Sequence, residues 1–284
     1  MEQGTITALL FILLLVVWEH FKPLRRRTQP RLYRWGVNVS LSLLVVIVGS
    51  LLLKPAAMGT TELIQRNSWG LLGLLPIALP LKMIAGFLLI EMTFYWWHRI
   101  NHEIPLLWRF HNIHHIDPDV DVTTSFRFHW VEILYSVVFR LVQVGTLGIT
   151  PEIYIAYESV FMLATMWHHS NIVLPISLER LLNRLIVTPR MHGIHHSNYR
   201  VETDANYSVI FMVWDRLFGT LRLNIPQQLV TVGVPGYASP ADNRIQRLLI
   251  YPFTRQKSYW KTGETDHTER AASELRGTIT QLAE

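Results

Sequence analysis

A chain of 284 residues that is 50% hydrophobic and only 17% charged carries too little charge for an ordinary soluble domain, and its mean hydropathy of +0.21 points to a membrane. The absence of cysteine excludes thiolate zinc sites, iron–sulfur clusters and disulfides, so any metal is held by nitrogen and oxygen. The net charge of +5 does not argue for nucleic acid, because the basic residues gather beside apolar segments and set membrane orientation there.

Ile6 to Trp18 is a continuous apolar run. It lacks the preceding basic residues and following small residues of a cleaved signal, and reads as a retained membrane helix. Lys22, Arg25, Arg26, Arg27, Arg31 and Arg34 follow with no acid among them, which places this stretch in the cytoplasm. Gly36 to Leu53 is a second span, long enough for a hydrocarbon core of ~30 Å. Lys54 to Gly70 reads as a loop on the far side, with an interfacial stretch to Leu75. A third span from Ile77 to Trp97 ends in Phe94, Tyr95, Trp96 and Trp97, an interfacial aromatic belt that returns His98 to the arginine side.

Asn101 to His129 is polar and does not span. Trp130 to Ile149 and Ile153 to Met166 form a helical hairpin interrupted by Arg140 and Glu158. Its even number of crossings brings His168 and His169 to the side of His98. Thr188 and Pro189 open a helix bearing His192, His195 and His196. ETDANYSVIFMVWDRLFGTLRL reads as a cytoplasmic lid, and the chain from Arg255 to Glu284 as a surface helix or a partly disordered tail. The expected organisation is all-α: an integral membrane bundle of about four transmembrane or hairpin helices under a cytoplasmic histidine-rich di-metal cap. Residues 1–75 supply membrane helices, 76–223 a catalytic domain and 224–284 a cytoplasmic tail.

The histidines carry the chemistry. His98 and His102 are spaced i, i+4; His111, His114 and His115 are spaced i, i+3, i+4; His192, His195 and His196 repeat that pattern. Each set falls on one helix face, which is how a helix aims several imidazoles at a metal. The chain lacks the two Glu-x-x-His motifs that soluble di-iron bundles combine. Asp117, Asp204 and Glu103 are candidates to orient ring N–H groups, or are solvated loop carboxylates. Trp108, Phe110 and Trp167 either wall a substrate cavity or pack in the ordinary way.

HRINH, HNIHH, HHSN and TPRMHGIHHS, followed by ETDANYSVIFMVWDRLFGT, resemble the fatty acid hydroxylase and sterol desaturase superfamily over roughly Phe87 to Leu223. The resemblance implies metal ligands at His98, His102, His111, His114, His115, His192, His195 and His196, and His169 ahead of His168 before the last box. His129, with Glu132 one turn later, resembles a recurrent family histidine and is a ligand, an orienting partner or part of the substrate path. His20 and His267 lie outside all boxes. The cofactor implied is two iron ions with O2 as co-substrate, although zinc also occupies such sites in purified samples.

The expected function is hydroxylation of an unactivated C–H bond of a lipid or sterol drawn from the bilayer. An external electron donor is required, a reductase, ferredoxin or cytochrome b5-like carrier, because the chain has no flavin or nucleotide fingerprint. Desaturation or ether-lipid mono-oxygenation at the same site is the nearest alternative, and a non-catalytic metal- or haem-binding membrane protein is the alternative from another class. The expected location is a bacterial inner membrane, or the endoplasmic reticulum of a eukaryote, with the metals on the cytoplasmic side.

Overall fold

The computed structural model describes residues 2–272. The helices that position the site are α1 (Glu2–Phe21), α2 (Arg31–Val48), α3 (Lys54–Asn67), α4 (Leu79–Glu103), α5 (Pro105–His115), α6 (Trp130–Leu147), α7 (Pro151–His169) and α8 (Pro189–His195). Prolines set the starts of the four that carry box histidines: each of α4, α5, α7 and α8 has a proline in its first turn. There the missing N–H has no helical acceptor to lose.

Three helical runs among the described residues are long and apolar enough to cross a membrane: Arg31–Leu74, Leu79–Glu103 and Trp130–Leu147. Large apolar side chains stay exposed along them, Leu51 at 69% and Val138 at 65%, as lipid-facing surface requires. The protein is therefore an integral membrane protein with a mostly helical fold. The first apolar segment, Ile6–Phe21, is shorter than a full span. α1 packs against α7 and buries Leu15 there with Met166 and Ile172.

The stretch expected as a far-side loop is helical. Pro55 has no N–H to give the carbonyl of Leu51, and its ring crowds that turn, so a regular ladder cannot run through it. The chain answers with a π turn over Gly49–Leu53, in which the Lys54 N–H reaches back five residues to the Gly49 carbonyl. α2 and α3 thus form one long run, and α3 lies along α6 and α7. The run ends at Ser68, which is left-handed with φ of 52°. Beyond it Gly70 meets Gly148, where a Cβ on Gly70 would sit 2.4 Å from the Gly148 Cα. Gly148 itself closes α6 with φ of 75°, a conformation that glycine adopts without strain.

A buried polar network ties α2 to the chain beyond α5. The Asp117 carboxylate accepts from Arg34 at 2.8 Å, Thr124 at 2.9 Å and Asn38 at 3.1 Å, and Asp121 pairs with Arg34. Burial opposes ionisation of Asp117, but Arg34, Arg127 and these hydrogen bonds outweigh it and hold its pKa below the usual carboxylate value. Asp117 is therefore a structural anchor, and neither of the roles expected for it applies.

Past residue 255 the chain forms a small antiparallel hairpin, Lys261–Thr262 with Thr265–Asp266, instead of the expected surface helix. Trp260 stacks on Trp108 with centroids 6.1 Å apart, and Arg270 donates to Glu202 at 2.8 Å. Residues 273–284 of the expected tail lie outside the described residues.

Candidate metal centre

The box histidines converge from α4, α5, α7 and α8 into two buried groups of four. His98, His102, His115 and His195 form one; His114, His169, His192 and His196 form the other, with the ligand atoms of each group within 4.8 Å of one another. Helix geometry explains the sorting. Residues four apart share a face, so His98 and His102 meet at one point and His192 and His196 at the other. Neighbouring residues diverge by about 100°, so His114 and His115 separate between the groups, as do His195 and His196.

In the second group the Nε2 atoms of His169 and His114 are 3.0 Å apart, those of His192 and His169 2.9 Å, and those of His196 and His192 3.1 Å. Imidazoles bound at right angles to an ion about 2.1 Å away have their nitrogens about 3 Å apart, so this group fits an ion. In the first group both nitrogens of His102 and His115 and the Nε2 of His195 are buried without a hydrogen-bond partner; each ring has one lone pair among these, and a metal would satisfy it. Burial first, and neighbouring imidazoles second, push the pKa values of His114, His115, His192, His195 and His196 well below the ordinary value. All five are neutral at pH 7, the form that ligates metal.

Backbone carbonyls fix which nitrogen faces inward. The Nδ1–H of His98 donates to the Tyr207 carbonyl at 2.8 Å, that of His195 to Ala205 at 2.7 Å, and that of His169 to Thr165 at 2.8 Å. Carbonyl oxygens only accept, so each bond assigns the proton to Nδ1 and leaves the Nε2 lone pair free. Alternate residues of one segment, Ala205, Tyr207 and Val209, thus orient His195, His98 and also His168 (3.0 Å). The stretch expected as a lid is a template for imidazoles. Carbonyls leave no residue-type signature, so nothing in the sequence announces it.

The remaining candidates fall outside the two groups. His111 lies between them, its ring 4.9 Å from His102 and 5.5 Å from His114. Glu132 accepts from its Nδ1–H at 2.9 Å, and its buried Nε2 meets no partner. That orienting role of Glu132 was hidden in the sequence, where the residue drew notice only beside His129. His168 packs on His192 at 4.0 Å without joining a group. His129 caps α6, its Nδ1 accepting from the Val131 N–H at 3.2 Å, and packs at a tilt on Phe110 and edge-on to Phe253. Asp204 stands 3.5 Å from His102 Nδ1, whereas Glu103 pairs with Arg99 at 2.7 Å.

An apolar cavity of about 560 Å³ lies between α2, α3, α4, α6 and α7; no histidine lines it, but Glu132, Thr165 and Phe128 of its wall contact His111, His169 and His114. Phe128 stacks on His114 at 4.5 Å, nearly parallel. Phe94 and Trp97, expected as an interfacial belt, line this cavity. Trp108 instead covers His102 at 4.8 Å, Trp167 donates to the Val187 carbonyl, and Phe110 packs on His129.

Fold and site together define a helical membrane protein built around a histidine di-metal site. Residues 83–220 match the fatty acid hydroxylase family, and the chain belongs to that family. It is similar to alkylglycerol monooxygenase of Homo sapiens, 31% identical over 147 residues, 51% of this chain and 32% of the relative. It also resembles ornithine lipid hydroxylase OlsE of Rhizobium tropici, 28% identical over 176 residues, 62% and 51% of the two chains. Cholesterol 25-hydroxylase of Homo sapiens is 30% identical over 139 residues, 48% and 49%. The matched region thus spans a third to a half of these relatives. No solved structure matches the chain.

Proposed function

We propose that this protein is a membrane di-iron oxygenase that hydroxylates an unactivated C–H bond of a lipid or sterol. The observation that carries the reading is the pair of buried four-histidine groups beside an apolar cavity. One iron would be held by His98, His102, His115 and His195, the other by His114, His169, His192 and His196, with His111 between them. Nitrogen-only sites also accept zinc, and iron is chosen here because of the family. When bound, the two irons supply the activation of O2; one oxygen atom enters the C–H bond and the other leaves as water, consuming two electrons and two protons from an external carrier.

The chain's own residues do the rest. The carbonyls of Ala205, Tyr207 and Thr165 hold three Nε2 lone pairs inward, and Glu132 keeps the proton of His111 on Nδ1. Phe128 and the aromatic walls exclude water and lay an apolar chain against the second group. The relatives' names, monooxygenase and hydroxylase, favour hydroxylation over desaturation, and an ether lipid, an amino-acid lipid and a sterol are the substrate classes they suggest. We place the histidine face in the cytoplasm, with the arginines of residues 22–34.

The test is anaerobic purification from iron-fed cells, metal analysis, and turnover of a lipid extract under ¹⁸O2 with a chemical reductant and a carrier. Two irons per chain and one labelled oxygen in a lipid product are expected. Oxidised lipid without label, or product formation without O2, would overturn the reading.

A further inference from the structure

A second cavity, about 630 Å³, opens beside the third histidine box and shares no residue with either histidine group; Arg25, Arg26, Arg190, Asn171, Gln227 and Asp119 line it. Its position depends on a glycine. A Cβ on Gly193 would sit 2.1 Å from Arg25 Nη1, so the bare backbone between His192 and Ile194 is what lets the guanidinium lie there.

Arg25 is poorly compensated. Its Nη1 donates to the neutral Gln227 amide at 2.8 Å, and its Nη2 is buried with no partner. Among the described residues no carboxylate lies within ion-pair distance of it. The other charged groups of the cavity do not correct this. Arg190 is paired with Glu179 at 3.0 Å, and Arg26 is an exposed second cation. The Asp119 oxygens are occupied at 2.8 Å by the backbone N–H groups of Thr28 and Gln29. Burial, and then the charge of Arg190, draw the Arg25 pKa down to about 10, so the side chain stays cationic at pH 7. The Arg25 side chain is partly buried with its Nη2 wholly so, and Glu179 and Glu19 act on it only from beyond ion-pair distance; a guanidinium so placed is costly unless an anion joins it, and the planar fork suits an oxyanion with several acceptor oxygens.

We propose that this cavity binds a phosphate group, with Arg25 and Arg26 supplying the charge and, as further donors, the second N–H of the Asn171 and Gln227 amides, whose first is given to the carbonyls of Arg25 and Arg190. The phosphate belongs either to a membrane lipid headgroup or to a soluble compound, since the cavity lies beside a segment that follows the first apolar helix. The proposal is independent of the oxygenase reading, because it concerns equilibrium binding and no turnover.

The experiment uses the metal-loaded full chain in maltoside micelles, which contain no phosphate. Calorimetry and thermal shift are run with inorganic phosphate, dihexanoylphosphatidic acid and, as the phosphate-free control, dihexanoylglycerol. Saturable binding of a phosphate probe with a raised Tm is expected, and the control should not bind. Binding of both phosphate probes identifies a soluble ligand; binding of the phosphatidic acid alone identifies a headgroup. Arg25→Met should weaken binding tenfold to a hundredfold, the loss of one charge-assisted contact, while leaving the ligand-free Tm unchanged or raised. Arg26→Met should weaken binding less. Absence of binding by both phosphate probes, or equal binding by wild type and Arg25→Met, overturns the proposal. So does a lowered ligand-free Tm in Arg25→Met with unchanged affinity, which would make Arg25 merely structural.

Discussion

The two histidine groups share α5 and α8, the first adding α4 and the second α7, and they close differently. The second is tight, with Nε2 atoms 2.9 to 3.1 Å apart, and Phe128 of the cavity wall lies on one of its rings. In the first, rings from different helices pack at 4.6 to 4.8 Å while the Nε2 atoms of His102, His115 and His195 meet no partner, and its outer side is covered by Trp108 and approached by Asp204. The second group thus adjoins a wall residue of the apolar cavity, and the first does not. On the proposed reading, substrate lies beside the second group, and Trp108 and Asp204 serve metal retention at the first.

The strongest way to break this comparison is to empty one group at a time. His192→Ala and His102→Ala should each reduce bound metal from two ions to about one and bring turnover to background, as should His195→Ala; metal analysis beside product formation checks this. Equal loss of both ions from every variant would mean that the groups do not act as separate sites. Asp117→Ala, which takes from Arg34 one of its two buried carboxylates and from Arg127 the carboxylate beside it, should cost about 3–5 kcal/mol in unfolding free energy, measured by denaturant titration in micelles. Glu132→Gln keeps shape but weakens the hold on His111, and a tenfold to hundredfold loss in metal affinity or activity is expected, with little change in Tm.

Acid distinguishes burial from ligation. The unfolded chain protonates its histidines near pH 6.5, whereas His114, His115, His192, His195 and His196 in the folded chain resist protonation to lower pH. The unfolded state therefore binds more protons below about pH 6.5, and the metal-free protein should lose stability as pH falls through that value toward the lowered folded values. A Tm that holds constant from pH 7 to pH 5 would contradict the assignment. Smallest of all is His20→Ala. That residue is exposed and touches only Arg31 and Phe21, and metal content and turnover should stay within error.

Much of this site was legible because imidazole spacing is a helix signal. Residues four apart pointed to shared faces, and Thr188 and Pro189 marked where the helix of the last box begins. What was not legible is what backbone supplies: the carbonyls of residues 205–209 could be any residue's. Lys54 to Gly70 looked like a loop because Pro55, Gly59 and a Thr-Thr-Glu run resemble linker chemistry, yet packing of α3 on α6 and α7 overrides weak helix propensity. The acids after the second box looked solvated for a similar reason. Only the fold reveals that Arg34 and Asn38, some 80 residues earlier, close over Asp117. His129 has a family resemblance and a histidine's chemistry, but sits where a helix needs a cap.

The widened turn ahead of Pro55 has a consequence for lipid choice. Gly49 and Leu53 of that turn, with Val45 of α2 just before it, contribute one wall of the apolar cavity, so the contour presented to an alkyl chain is written in backbone pitch as much as in side chains. Moving or removing the proline would turn the upstream half of the run and reshape the berth, with all the imidazoles left in place. A family could diversify the molecules it oxidises in this way while its metal chemistry stays constant.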